Sequence, residues 1–291
     1  MSRIVYVNGD FLPEADAKIS VFDRGLLFAD SVYEVIAVVD GQLIDNAAHL
    51  RRLNASLHAL SLTAPCTQAK LIQIQHRTIE HNRLTMGMLY LQITRGAADR
   101  DFAFPADATP SLVMFTQHKD LIHHPFAQRG IRILGVPDTR WKHRNIKTTS
   151  LLAAAMAKQT ALAAGADDAW LIEDGLVNEG SAANAYIVTD DHRLVTRHLG
   201  HEILAGITRE AVLKLAAEQR LSIEQRPFSL AEAQTAREAF NTAATSFVLP
   251  VVAVNGRPVG DGQPGPITRR LRELYIATVR AHARPKQRST Q

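Results

Sequence analysis

Four Asx-Gly dipeptides, Asn8-Gly9, Asp40-Gly41, Asp174-Gly175 and Asn255-Gly256, each sit between two short apolar runs. An Asn or Asp followed by Gly tolerates two successive positive φ angles, and a two-residue turn of that kind joins neighbouring antiparallel strands. "IVYVNGDFL", "YEVIAVVDGQLI", "WLIEDGLVNEG" and "VVAVNGRPVG" therefore read as hairpins spread along the whole chain, and a further turn at Asp190-Asp191 separates "AYIV" from "RLVT". Hairpins in that number exclude a doubly wound parallel sheet, whose strands are joined by helices.

Helical periodicity occupies the intervals. "DNAAHLRRLNASLHALSL" repeats Leu50, Leu53, Leu57 and Leu60 at the spacing of one buried helix face, with Asp45 placed to cap it. A second helix is predicted near 68–82, and "TREAVLKLAAEQR", "SLAEAQTAREA" and "PITRRLRELYIATVRAH" supply three more, while "GMLYLQITRG", "PSLVMFTQH" and "IRILGV" read as buried strands. The predicted class is α+β in two domains. A small domain is expected over 1–120, a connection over 121–130 in the polar "KDLIHHPFAQRG", a larger domain over 131–282, and a basic flexible tail over 283–291. At 291 residues with 46% hydrophobic composition the chain can bury two cores.

Composition excludes several functions. The balance of 33 Lys+Arg against 29 Asp+Glu leaves a formal charge of +4, much of it in "RAHARPKQRSTQ", where Arg280, Arg284, Lys286 and Arg288 read as solvated. Such charge is only the non-specific part of nucleic-acid affinity, so no nucleic-acid partner is expected. Cys66 is the only cysteine, which removes intramolecular disulfides and cysteine-cluster metal sites and fits a reducing compartment. No leader pattern and no apolar run of bilayer length is present, so the expected location is cytoplasmic, with no membrane partner. Walker, dinucleotide-binding, nucleophile-elbow and H-E-x-x-H patterns are all missing, and no metal site is expected; the adjacent His123-His124 pair lies in the polar connection.

One lysine stands out in "NIKTTSLLAAAMAKQ". Lys147 follows an apparently extended Trp141–Ile146 and precedes Leu151, Leu152 and Met156 at helical spacing, so its side chain should emerge where strand gives way to helix. A half-buried lysine there loses part of its preference for the ammonium form and becomes a carbonyl-attacking amine. A surface lysine near a helix start satisfies the same pattern, and Lys147 by itself does not separate the two.

The ordered set "FDRGLLFADSVYEVIAV", "HLRRL", "NIKTTSLL", "LVNEGSAANAYIV" and "ILAGITRE" resembles the class IV aminotransferases, the fold type IV pyridoxal-phosphate enzymes, from about Tyr6 to Pro250. "DTRWKHRNIKTTSLL" and "RGAADR" look most like the D-amino-acid branch, with branched-chain and (R)-amine transaminases as relatives and aminodeoxychorismate lyase on the same scaffold. The resemblance implies a small α/β N-terminal domain, a larger pseudo-barrel C-terminal domain and a homodimer. It implies pyridoxal phosphate as cofactor, with an amino donor and a 2-oxo acid as substrates.

The same resemblance assigns residues. Lys147 matches the lysine that holds the cofactor covalently and moves the substrate proton as general acid and base. Glu179 matches the carboxylate that keeps the pyridine nitrogen protonated, and Leu204 the leucine that packs on the ring. Arg52 matches the phosphate-contacting arginine, with His49 on the same helical side and Arg51 as the solvated neighbour. Gly206, Ile207 and Thr208 open a helix whose free N–H groups suit a phosphate, and Ala244 and Thr245 align with a turn that approaches phosphate and substrate. Tyr33 and Arg100 match residues near the substrate carboxylate, Arg100 reaching in from the neighbouring subunit. The D-amino-acid branch carries a histidine two positions after that arginine; here Phe102 stands in its place, which admits an (R)-amine donor as an alternative.

Overall fold

The structure, a computed structural model, describes residues 2–283; the basic tail expected over 283–291 lies outside the described residues from 284 onward. The chain forms two compact units. The first takes residues 2–120, 146–150 and 279–283, and the second takes Leu121–Asn145 and Leu151–Thr278.

The first unit contains β1 (Ile4–Val7), β2 (Asp10–Pro13), α1 (Arg24–Phe28), β3 (Ser31–Val39), β4 (Gln42–Leu43), α2 (Asn46–Ala59), α3 (Gln68–His81), β5 (Met86–Thr94) and β6 (Ser111–His118). Its strands form one antiparallel sheet in the order β2-β1-β6-β5-β3-β4. The β1–β2 and β3–β4 turns fall on the expected dipeptides, with Asn8 at φ 48° and Asp40 at φ 50°. Leu50, Leu53 and Leu57 of α2 join Leu71, Ile74 and Ile79 of α3 in a core with Val32, Ile36, Leu89, Leu91 and Met114 of the sheet. Each fully buried side chain of this size contributes about 2 kcal/mol. Asp45 does stand at the N-cap of α2, but at φ 54° in the left-handed region, and its side chain makes no cap hydrogen bond.

The second unit runs α4 (Pro125–Arg129), β7 (Ile131–Pro137), α5 (Leu152–Ala163), β8 (Asp168–Glu173), β9 (Leu176–Gly180), β10 (Asn184–Val188), β11 (Arg193–Thr196), α6 (Ile207–Glu218), β12 (Ser222–Gln225), α7 (Leu230–Gln234), β13 (Glu238–Ala243), β14 (Phe247–Val254), β15 (Arg257–Pro258) and, through Thr278, α8 (Pro266–Ala283), whose last residues are counted with the first unit. The strands make a mixed sheet in the order β12-β11-β10-β13-β14-β7-β8-β9, with β15 beside β14. The sheet curls into the expected strand-rich half-barrel. Ile131, Ile133, Trp170, Phe228 and Val251 fill its core. The β8–β9 and β14–β15 turns again use the predicted dipeptides, with Asp174 and Asn255 both at φ 51°.

Around Lys147 the structure departs from expectation. Residues Trp141–Ile146 are turns and bends, not a strand, and α5 begins only at Leu152. The buried face of α5 is its alanines: Ala157 and Ala161 pack against Val136 and Leu171, a close helix-on-sheet approach that larger side chains would prevent. Leu152 and Met156, whose helical spacing follows Lys147, are 75% and 62% exposed.

Candidate active site

Lys147 lies in the irregular segment Ile146–Ser150, which groups with the first unit because it runs alongside β3. The Tyr33 N–H donates to the Lys147 carbonyl at 3.1 Å, Val32 bridges Thr148, and the Thr149 N–H donates to the Ser31 carbonyl at 3.3 Å. From α2, the Ser56 hydroxyl accepts the Lys147 N–H at 3.2 Å. The half-buried ammonium group rests on the Tyr33 ring, with Nζ 4.1 Å from its centroid. That ring is itself fixed by a ladder across three strands: Tyr33 stacks on Tyr90 at 5.7 Å and Tyr90 on Phe115 at 4.7 Å. Burial raises the Tyr90 hydroxyl to about 12, so it stays protonated and donates to Gln92 Oε1 at 2.8 Å.

Alternation along β3 sends Glu34 to the face opposite Tyr33, under α2. His49, Arg52 and Ser56 lie at i, i+3 and i+7 of α2 and so share one side of it. Arg52 grips Glu34 with two hydrogen bonds, Nε to Oε1 at 2.8 Å and Nη2 to Oε2 at 2.7 Å, and His49 Nδ1 meets Oε2 at 2.6 Å. Burial alone would raise the Glu34 carboxyl, but the hydrogen bonds from Arg52 and His49 and the arginine charge outweigh it, bringing it from 4.5 down to about 2. Burial also keeps His49 below its ordinary value, in its neutral form. Arg51, one residue away, faces solvent.

The lowered carboxyl has a consequence for stability. A folded-state pKa below the unfolded one stabilises fully above about pH 4.5, and that stabilisation is lost as pH falls toward 2. The fall from 4.5 to about 2 corresponds to about 3 kcal/mol. Glu34→Gln is expected to lower stability at pH 7 by about this amount, since it leaves the Arg52 charge without its buried partner. Urea unfolding at pH 7, 4 and 3 checks it: wild type and variant should converge as pH falls, and a constant difference would contradict the assignment.

In the second unit the corresponding centre is Glu179 on β9, whose side chain is buried. Arg140 Nη1 donates to its Oε1 at 2.6 Å, and Asn184 Nδ2 and the Leu204 N–H donate to its Oε2 at 3.0 and 3.1 Å. Burial pushes the carboxyl above the ordinary glutamate range, against the pull of Arg140 and the Leu204 amide. Behind it, Asp138 holds Arg140 through Oδ1 and Oδ2 and accepts from Asn178, while Arg144 pairs with Glu173.

Asn184 ties this carboxylate to the start of α6. Its Nδ2 also donates to the Leu204 carbonyl at 3.0 Å, and a Cβ built on Gly206 would stand 2.0 Å from its Oδ1. Only glycine fits there. Gly206 is the N-cap of α6, and Thr208 is inside the first turn and buried, with no side-chain cap bond made. Among the described residues, the amides of Ile207, Thr208 and Arg209 and the Thr208 hydroxyl have no hydrogen-bond partner in the chain. Ala244 and Thr245 occupy the three-residue turn between β13 and β14, half-buried, where Ala243 pairs Phe247.

Arg100 and Phe102 stand apart, on the loop between β5 and β6. Arg100 lies over the rings of Phe28 and Phe102, 5.3 and 5.7 Å from their centroids, and Phe102 is 79% exposed. Neither residue makes a hydrogen bond, ion pair or ring contact with Lys147 or Tyr33. Sequence reasoning missed Glu34, Arg140 and Asn184. The signal for Glu34 was a charge at an inward β position, between Val32 and Ile36; Arg140 and Asn184 carried none.

A family model for amino-transferase class IV matches residues 31–254. The chain belongs to the class IV aminotransferases. The D-alanine aminotransferase of Staphylococcus aureus (strain MSSA476) is 31% identical over 280 residues, 96% of this chain and 99% of that protein. The D-alanine aminotransferase of Bacillus licheniformis is 35% identical over 269 residues, 92% of this chain and 94% of its own. Among solved structures, the branched-chain aminotransferase of the archaeon Thermoproteus uzoniensis superposes with TM-score 0.83 at 26% identity, covering 96% of this chain and 95% of its own. That of Escherichia coli gives TM-score 0.88 at 22% identity over 99% and 97%, a likeness of fold.

Class IV aminotransferases use pyridoxal phosphate, and the chemistry of this class IV chain suits that group. A half-buried amine, Lys147, is available for its aldehyde. Were it bound, a permanent cation, Arg52, and, in the second unit, the unpaired amides and buried hydroxyl at the start of α6 are of the chemical kind that would hold a phosphate. Glu179, buried and bound by three donors, is an acidic group of the kind that would face a protonated ring nitrogen. Among the described residues no group of three or more His, Cys, Asp or Glu is placed to hold a metal ion, and no helix is long and apolar enough to cross a membrane.

Proposed function

We propose that this aminotransferase exchanges amino groups between D-amino acids of the D-alanine and D-glutamate type and 2-oxo acids. The observation that carries the D-amino-acid reading is Arg100: among the described residues it has no carboxylate partner, and it lies exposed on aromatic rings, available to a donor's carboxylate. Relatives that are D-alanine aminotransferases over more than nine-tenths of the chain support it.

When bound, pyridoxal phosphate supplies an aldehyde that condenses with amines and a ring that accepts electron density from the donor's α-carbon. Lys147 would hold it covalently until the donor amine takes its place on the aldehyde carbon, and the amine so released would take the donor's α-proton, the Tyr33 face steadying the resulting ammonium. Glu179 keeps a proton on the ring nitrogen. Arg140 and the Leu204 amide pull the Glu179 carboxyl down against the burial that raises it. Arg52, locked by Glu34, and the amides of Ile207 and Thr208 with the Thr208 hydroxyl bind phosphate, and Ala244 and Thr245 add backbone donors. Leu204 would pack against the ring, and Tyr33, with Arg100 supplied by the second subunit, would orient the substrate carboxylate.

The edge contact of Phe28 with Phe102, ring centroids 5.6 Å apart, favours one second reading, an apolar (R)-amine donor. Turnover of D-alanine, D-glutamate, L-leucine and (R)-1-phenylethylamine with pyruvate and with 2-oxoglutarate separates the cases. D-alanine or D-glutamate should lead; a lead by the phenylethylamine or by L-leucine rejects the main reading, and silence on all four points to a lyase.

The protein is further proposed to be a cytoplasmic homodimer. Val21, Phe22 and Leu26 project from one stretch of the first unit into solvent, apolar surface of the kind a second subunit covers. Sedimentation of the active enzyme should give twice the 32.0 kDa chain mass, and a fully active monomer rejects it.

A further inference from the structure

The loop that bears Arg100 is tied into the interior of its own unit. Asp30, between α1 and β3, is a buried carboxylate shared by two buried guanidinium groups. Arg24 Nε donates to Oδ2 at 2.8 Å; Arg95 donates from Nε to Oδ2 at 2.7 Å and from Nη2 to Oδ1 at 3.0 Å. Arg95 is anchored on its far side by the carbonyls of Leu60 and Ser61, at 2.8 and 3.0 Å. Both arginines then reach the loop. Arg24 Nη1 donates to the Asp101 carbonyl at 2.6 Å, and Phe104 lies under both cations, its centroid 3.7 Å from Arg95 Cζ and 5.7 Å from Arg24 Cζ. Arg24 also sits 4.5 Å from the Phe28 ring, the same ring that Arg100 covers.

The division of labour among the three arginines is plain. Arg24 and Arg95 are buried and committed to Asp30; Arg100 is exposed and uncommitted. Residues 95–110 carry no helix or named strand, and a free loop of that kind pays a large ordering cost whenever a ligand fixes it. A charge-assisted hydrogen bond to the Asp101 carbonyl and two cation–π contacts to Phe104 bracket the segment that follows Arg100 and remove most of that cost in advance.

We propose that the Asp30–Arg24–Arg95 cluster is a positioning device for substrate recognition, fixing residues 100–104 so that Arg100 meets the donor carboxylate with its loop already ordered. Arg24, Arg95 and Phe104 are positioning residues and touch no substrate. The inference rests on the reading of Arg100 given above.

The test uses the full-length holoenzyme and two variants that cut the loop free while leaving Asp30 gripped by Arg95: Arg24→Met, and Phe104→Ala, which removes an exposed ring. Each is expected to raise KM for D-alanine about tenfold with kcat within about twofold, the pattern of lost uniform binding. Each should also speed trypsin cleavage after Arg100, a readout independent of turnover. In an Arg100→Met background neither change should raise KM further, because the cluster acts through that side chain. Unchanged KM in both variants, or effects that add fully to Arg100→Met, would overturn the inference while leaving Arg100 as the carboxylate ligand. Should Arg100→Met itself leave KM unchanged, the reading of Arg100 falls and the inference with it. If Arg24→Met does not fold, Phe104→Ala alone decides.

Discussion

Lys147→Ala is expected to abolish turnover, lowering kcat by at least about 10⁴, because one substitution removes both the covalent anchor of the cofactor and the base for the donor's α-proton. The fold should survive. The side chain is half-buried, its main contact is the face of Tyr33, and the backbone bonds of Lys147 to Tyr33 and Ser56 do not depend on it. The measurement pairs kinetics with spectra: purified variant should lack the visible absorption of lysine-bound pyridoxal phosphate while its circular dichroism matches wild type. Added methylamine, a small base that can reach the vacated space, should restore a part of the rate. A variant with wild-type turnover would end the proposal that Lys147 is the catalytic amine.

Glu179→Gln gives the second largest effect. Glutamine keeps the size and the hydrogen bonds from Asn184 and Leu204 but removes the negative charge, and Arg140 remains held by Asp138. Without the anion the ring nitrogen loses its proton and the α-carbon its electron acceptor, so kcat should fall about 10²- to 10³-fold, the scale of losing one preorganised charge in a buried site. Cofactor should remain bound through Lys147 and the phosphate donors. The diagnostic is isotopic: with α-deuterated D-alanine, the rate ratio between protiated and deuterated donor should grow in the variant, because proton removal becomes the slow step. An unchanged kcat and isotope effect would show that Glu179 is only a structural carboxylate of the Arg140 network.

Some of this molecule was legible without coordinates. The four Asx-Gly turns form where the dipeptides stand, because the positive φ they require is a local property of two residues. The leucine repeat of α2 marks its buried face, and the same period places His49, Arg52 and Ser56 together on another, because helical geometry fixes both at once. Lys147, Glu179 and Arg52 were legible as members of an ordered motif set. Their surroundings were not. That Glu34 is the carboxylate locking Arg52, that Arg140 holds Glu179, and that Arg95 reaches Asp30 are contacts 18, 39 and 65 positions apart in sequence, and no periodicity encodes a partner across such a separation. Asn184 and Arg24 lie only five and six positions from their carboxylates, but across irregular chain whose path no repeat specifies.

The segment around Lys147 draws the line most sharply. Its sequence determined that a lysine precedes an alanine-rich helix, since helix propensity and spacing are read residue by residue. Only the tertiary structure decided that the stretch before it is irregular, that it runs along β3, and that the amine lies on Tyr33, because a strand partner and a ring face are supplied by chain more than a hundred residues away. The same holds for α5, where composition fixed a helix but packing against Val136 and Leu171 chose its alanines for the interior and left Leu152 and Met156 outside.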